Sequence, residues 1–79
     1  MVLINAEIQK QLRVVGFTEG FDLESRLRQL GLVPGDRLRI LRQAPLGGPL
    51  LVEVNGRSLA LGRGVAARIE VEEIECDSH

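Results

Sequence analysis

The chain has 79 residues, a formal net charge of −1 and 44% hydrophobic residues. This length allows one domain with a small core, and a catalytic pocket of about 300–1,000 Å³ is hard to enclose in so small a body. The single cysteine, Cys76, excludes an intrachain disulfide and indicates a reducing, cytoplasmic compartment. Composition therefore favours a binding module over an enzyme, and no apolar run is long enough for membrane insertion.

The charges are unevenly distributed along the sequence. Residues 1–68 carry all ten Lys and Arg side chains against six acidic ones, whereas residues 69–79 carry five acidic side chains and no basic one. We expect one domain over residues 1–79, with its core at about 12–73 and a flexible acidic tail at 74–79.

The first half of the chain predicts a strand, a helix and a turn. Gln11–Phe17 is rich in β-branched residues and bounded, as is typical of a strand. A short helix is predicted over Asp22–Leu30, with Asp22 as N-cap and Gly31 as the left-handed residue that ends it. Val33–Asp36 contains Pro-Gly at its centre, which is the composition of a β-turn.

The run Arg37–Arg42 alternates charged and apolar residues, which predicts a half-buried strand. Leu38 and Ile40 are expected to face the core. Leu41 and Arg42 break the alternation, and this favours a β-bulge at that point.

Asn55-Gly56 separates two apolar runs, Leu50–Val54 and Arg57–Leu61, and is a strong hairpin signal. One helical turn is expected at Val65–Arg68, followed by a last strand at Ile69–Glu73. The sequence therefore predicts a mostly β fold, a small closed or nearly closed barrel of about five strands with one short helix after the first strand.

Two turns carry leucines, which is unusual because turns are normally polar. Leu32 precedes Val33-Pro34-Gly35, and Leu46 lies within Ala44–Pro49. Each leucine either closes an end of the barrel or awaits a partner, and the sequence leaves both alternatives open. If they are exposed, apolar turns with arginines at their rim have the anatomy of a protein–protein interface. The candidate partner-binding residues are Leu32, Val33, Pro34, Arg39, Arg42, Pro45, Leu46 and Gly47.

Other chemistries find little support in the residues. Gly62-x-Gly64-x-x-Ala67 imitates a dinucleotide fingerprint but lacks the βαβ unit that such a site needs. The chain has no Trp or Tyr to stack bases, so nucleic-acid binding is not expected. Cys76 and His79 are weak metal candidates on a tail without a fixed frame, and no metal site or cofactor is predicted. No nucleophile has a base near it in sequence, so no catalytic residue is predicted.

Two segments at a fixed distance carry a family resemblance. Arg26–Asp36 reads RLRQLGLVPGD, and Ile40–Leu50 reads ILRQAPLGGPL. Together they resemble the FeoA family of ferrous iron transport proteins and the related C-terminal domain of iron-dependent repressors. The resemblance spans about residues 12–73 and implies an SH3-like barrel in a protein of transition-metal transport. It also implies a partner, the membrane transporter FeoB with its cytoplasmic G domain.

The expected function is therefore that of a non-enzymatic, cytoplasmic accessory protein of ferrous iron uptake that binds and modulates a FeoB-type transporter. The alternative is a free-standing SH3-like module that binds a peptide segment of an iron-responsive regulator. Weak self-association of the chain is left open.

Overall fold

Short β-strands form most of the regular secondary structure of the computed structural model, which describes residues 1–18 and 21–74. The order of elements in this part of the chain confirms the predicted mostly β fold with a short helix after the first strand. The elements are a 3-10 turn at Leu3–Asn5, β1 at Leu12–Phe17, α1 at Phe21–Gln29, β2 at Arg37–Gln43, β3 at Leu50–Val54, β4 at Arg57–Leu61, α2 at Arg63–Ala66 and β5 at Ile69–Glu73.

The five strands form one antiparallel sheet in the order β4-β3-β2-β1-β5. Two register shifts, between Val14 and Gly16 in β1 and between Ile40 and Arg42 in β2, interrupt the ladders. Such bulges bend strands and increase twist, which lets a short sheet curl around a core. The shift in β2 lies where the broken alternation predicted it.

The N-terminal residues pack against the far edge of β5. The Val71 N–H donates to the Met1 carbonyl over 2.8 Å, and Val2 forms an isolated antiparallel bridge with Glu70. Leu3 and Ala6, at 0% and 7% exposure, belong to the hydrophobic core. The core therefore begins well before residue 12, where sequence analysis placed its start, because the segment that precedes β1 turns back over the sheet.

The core fills the concave side of the sheet and is wholly apolar among the described residues. Alternate residues of each strand point into it, as the period of two requires. The largest fully buried side chains are Leu3, Leu12, Val14, Leu27, Leu32, Ile40, Leu50, Val52, Val54, Ile69 and Val71.

The hairpin between β3 and β4 has the predicted boundaries. Asn55 and Gly56 adopt φ of 52° and 80°, the two positive values of a type I′ turn, whose twist matches that of the flanking strands. The helical turn begins at Arg63 instead of Val65, because Gly62 takes the extended conformation of an N-cap. Asp22 lies in the first turn of α1, one residue inside it, and not at the cap.

Candidate partner-binding surface

Leu32 is a core residue, which corrects its assignment as a candidate surface residue. The Leu32 N–H donates to the Leu27 carbonyl over 2.8 Å, and the Gly31 N–H donates to the Arg28 carbonyl over 2.9 Å. These two bonds form a Schellman motif, with Gly31 in the left-handed conformation at φ 89°. The residue after the glycine commonly packs back onto the last helical turn in this motif. Leu32 does so and is 0% exposed.

Leu46 has the opposite environment, at the tip of the turn between β2 and β3. Its exposure is 103%, the largest among the large hydrophobic residues that the structure describes. The Gly48 N–H donates to the Pro45 carbonyl over 3.2 Å, and the Ala44 N–H donates to the Pro49 carbonyl over 3.0 Å. Two nested hydrogen bonds and a proline on each side hold the turn in one conformation.

The backbone of Leu46 is also in an unfavourable region. Leu46 and Gly47 have φ of 60° and 75°, so the turn is of type I′ with a leucine at a position that favours Gly, Asn or Asp. For an L-residue the left-handed region costs roughly 1–2 kcal/mol. A leucine that is both strained and fully exposed stabilises nothing in the isolated chain, and such outliers concentrate at ligand clamps and switch regions.

Two arginines flank this turn. The bulge in β2 makes Leu41 the extra residue, so that Arg42 stands opposite Leu51 on β3. On the other side Arg63 passes Gly47, and a Cβ placed on Gly47 would lie 3.6 Å from Arg63 Cδ. Within residues 1–18 and 21–74, neither arginine has a carboxylate oxygen within 4.0 Å. The turn that carries Leu46 therefore has one cationic side chain near its base and another beside Gly47.

The remaining candidates are divided between different places. Arg39 lies in an open polar groove of about 330 Å³. Its charge is already paired, because its Nε donates to Glu53 Oε1 over 2.9 Å. Val33 is half-buried, and its N–H donates to Asp36 Oδ2 over 2.9 Å within the exposed Pro34 turn. The predicted patch that would join Leu32 and Val33 to Leu46 does not form, because Leu32 is in the core. Pro45, Leu46, Gly47 and Arg42 remain together as one surface.

Sequence reasoning did not identify Arg63 as part of this surface, and it did not use the pattern that predicts the burial of Leu32. Arg63 was not a candidate, because 16 residues separate it from Gly47 in sequence and only the fold brings them together. The burial of Leu32, in contrast, was predictable from the sequence. Leu32 directly follows a glycine that ends a helix, and the Schellman motif places an apolar contact at that position.

The metal candidates Cys76 and His79 lie outside the described residues. In the described ranges, no group of three or more His, Cys, Asp or Glu side chains is arranged to hold a metal ion. Over the same ranges, neither helix is long and apolar enough to cross a membrane.

The bent five-stranded antiparallel sheet, its single helix after the first strand and its protruding turn place the chain in the class of SH3-like β-barrels. Within that class the FeoA domain family matches residues 1–73, and the chain belongs to this family. The resemblance carried by the two Pro/Gly segments is thereby confirmed.

Known relatives agree in sequence and in fold. A FeoA protein from Chlorobium tepidum, solved by NMR, is 35% identical with a TM-score of 0.86, and the alignment covers 99% of this chain and 74% of that one. A FeoA from Stenotrophomonas maltophilia, an SH3 domain protein crystallised with zinc, is 32% identical with a TM-score of 0.76 and coverages of 91% and 89%.

A protein of Methanocaldococcus jannaschii, provisionally named Fe(2+) transport protein A, is 36% identical over 50 residues. That match covers 63% of this chain and 58% of the length of the relative. The names of these relatives tie the family to ferrous iron transport.

Proposed function

We propose that the chain is a non-enzymatic accessory protein of ferrous iron uptake, which acts in the cytoplasm by binding a FeoB-type membrane transporter. The observation that carries the proposal is Leu46, a fully exposed leucine held at φ 60° on a turn fixed by two hydrogen bonds. In a chain of the FeoA family, such a residue is best explained as an anchor for another protein.

A rigid turn favours binding through Leu46, because the gain from burying the side chain is not offset by the cost of ordering the turn. Burying one leucine side chain contributes about 1.5–3 kcal/mol, and little of this is lost to ordering when the turn is already held in one conformation. A few such anchors near the centre of an interface commonly supply most of the affinity.

Binding alone does not regulate a transporter. A ligand shifts the equilibrium between two states of its target only by its difference in affinity for them. The proposed activity of the chain is therefore a preference for one conformation or assembly state of the transporter, and the anchor at Leu46 is where that preference would be exerted.

The first test is co-purification of the tagged chain with a FeoB-type transporter from detergent-solubilised membranes. Leu46→Asp places a charge where the apolar anchor was, and we expect at least a 30-fold loss of affinity, since a hot-spot residue contributes about 2 kcal/mol or more. The circular dichroism spectrum should be that of the wild type, because the side chain contacts solvent. Urea denaturation should show no loss of stability, and a gain of up to about 1 kcal/mol, because Asp, like Asn, tolerates the left-handed region.

Ile8→Asp is the matched control, since Ile8 is also a hydrophobic turn residue and is about half exposed, at 47%. It should leave recovery of the transporter unchanged. If the wild-type chain recovers a soluble iron-responsive regulator and no transporter, and its deletion alters transcription but not ferrous uptake, the proposal is wrong.

A further inference from the structure

An apolar groove lies beside the Leu46 turn, on the outer face of β3 and β4. Leu51 and Ala60 are directly opposite each other across these strands and point away from the core. Together with the residues at the base of the turn they enclose about 180 Å³, roughly the space of one medium-sized apolar side chain. The lining residues are Arg42, Ala44, Pro49, Leu50, Leu51 and Ala60.

The charges around this surface have one sign. Arg42 lines the groove and Arg63 lies against the other side of the turn, at Gly47. No carboxylate lines the groove in the described part of the chain. The nearest acidic residue along the outer face of β3 is Glu53, whose Oε1 accepts the hydrogen bond from Arg39. Within the described ranges, the charged side chains shown at the groove and at Gly47 are therefore both cationic.

We infer that this surface fits a protein partner with an apolar recess for Leu46 and carboxylates placed beside it for Arg42 and Arg63. The inference rests on the proposed function and states the chemistry of the transporter surface that the chain would bind. Charge complementarity is the argument, because it sets partner choice and association rate more than contact area does.

The same charges argue against two other occupants. A second copy docked on this same surface around a two-fold axis would oppose the arginines of one copy to those of the other. No carboxylate lines the groove in the described residues to separate them, and juxtaposed like charges are unfavourable. An anionic lipid surface would attract the arginines but gain little from the turn. Even a myristoyl chain binds membranes only marginally, and one leucine side chain is far smaller.

The experiment measures binding of the full chain to the purified FeoB-type transporter in lipid nanodiscs. The variants are Arg42→Glu, Arg63→Glu, the double variant and Leu46→Asp. Arg26→Glu is the control, since it changes the net charge equally from the exposed surface of α1. We expect each single reversal at Arg42 or Arg63 to raise Kd by about tenfold or more, and Arg26→Glu to stay within about twofold.

Salt supplies an independent readout. Wild-type affinity should fall as the NaCl concentration is raised from about 50 to about 300 mM. Over that range the Debye length drops below about 10 Å, so the charges at the rim of the interface are screened. In the double variant that dependence should be lost or reversed.

Each other outcome is decisive. If Leu46→Asp loses binding while the Arg42 and Arg63 variants bind like the wild type, the acidic partner surface is wrong and the proposed function stands. If the wild type does not bind the transporter, the proposed function falls and this inference with it. Leu46-dependent binding to protein-free phosphatidylglycerol vesicles would identify a membrane instead. Leu46-dependent dimers in sedimentation would identify a second copy.

Discussion

The two leucine-bearing turns have similar compositions and opposite structures. Leu32 lies next to Gly31 and is buried, whereas Leu46 lies next to Gly47 and is wholly exposed. The difference is which residue of each pair takes the left-handed conformation. In the first turn Gly31 does so alone at φ 89°, and in the second both Leu46 and Gly47 do, at φ 60° and 75°.

This comparison shows how the order of residues around a turn decides its role. A glycine that precedes the leucine reverses the chain and lets the leucine enter the core, with its N–H bonded to the Leu27 carbonyl at the end of α1. A glycine that follows leaves the leucine at the first corner of a type I′ turn, where its side chain points away from both strands. The turn at Leu32 therefore adds to the stability of the fold, whereas the turn at Leu46 holds an exposed side chain at the surface.

The largest effect should separate the two leucines directly. Leu32→Ala leaves a cavity in the core and should lower the free energy of unfolding by about 2–5 kcal/mol. Leu46→Ala removes only exposed atoms and should change it by less than about 0.5 kcal/mol. Urea denaturation followed by circular dichroism measures both. Equal losses in the two variants would contradict the assignment of Leu46 to the surface.

The second effect concerns the glycine that frees Leu32. Gly31→Ala forces an L-residue into the left-handed region, at roughly 1–2 kcal/mol. Its Cβ would also collide with the Arg57 guanidinium, whose Nη2 donates to the Leu30 carbonyl over 2.9 Å. A total loss of about 2–3 kcal/mol is expected once that hydrogen bond is displaced.

Gly64→Ala is the control for this change. Gly64 lies in α2 with nothing within 4 Å of an added Cβ. The substitution should be neutral or stabilise by up to about 1 kcal/mol. A thermal melt compares the two variants, and a Gly31→Ala protein as stable as Gly64→Ala would show that the Schellman motif does not govern this turn.

The smallest effect has the opposite sign. Asn tolerates the left-handed region far better than Leu, so Leu46→Asn should raise the free energy of unfolding by about 0.5–1 kcal/mol while binding to the transporter is lost. Leu46→Ala keeps the same strain and should not be stabilised. If Leu46→Asn lowers stability, the side chain of Leu46 contributes to the fold and is no anchor.

Much of the fold was predictable because local chemistry determines it. Asn55-Gly56 specifies a type I′ turn, and the hairpin boundaries follow from it. Pro34-Gly35 predicts the turn that the structure confirms, with Gly35 at φ 97° and the Asp36 N–H donating to the Val33 carbonyl over 3.1 Å. The broken alternation after Ile40 located the bulge in β2.

The site was predictable only in part. Whether a turn leucine faces inward depends on its backbone conformation, and no propensity rule assigns a left-handed φ to Leu46, since leucine disfavours it. The place of Arg63 depends on how α2 returns toward the β2–β3 turn, a contact between segments far apart in sequence. Leu3 and Ala6 were likewise placed outside the core, because the segment before β1 has no periodicity that marks it as buried.

The position of β1 in the sheet has a consequence for synthesis of the protein. β1, at Leu12–Phe17, pairs on one side with β2 and on the other with β5, at Ile69–Glu73. About 50 residues separate these partners, so a ribosome needs about 3–10 s to produce the second after the first. During that time one edge of β1 remains unpaired. Pairing on that edge must wait until β5 has been made, and until then the nascent chain depends on its surroundings to keep the edge from pairing elsewhere.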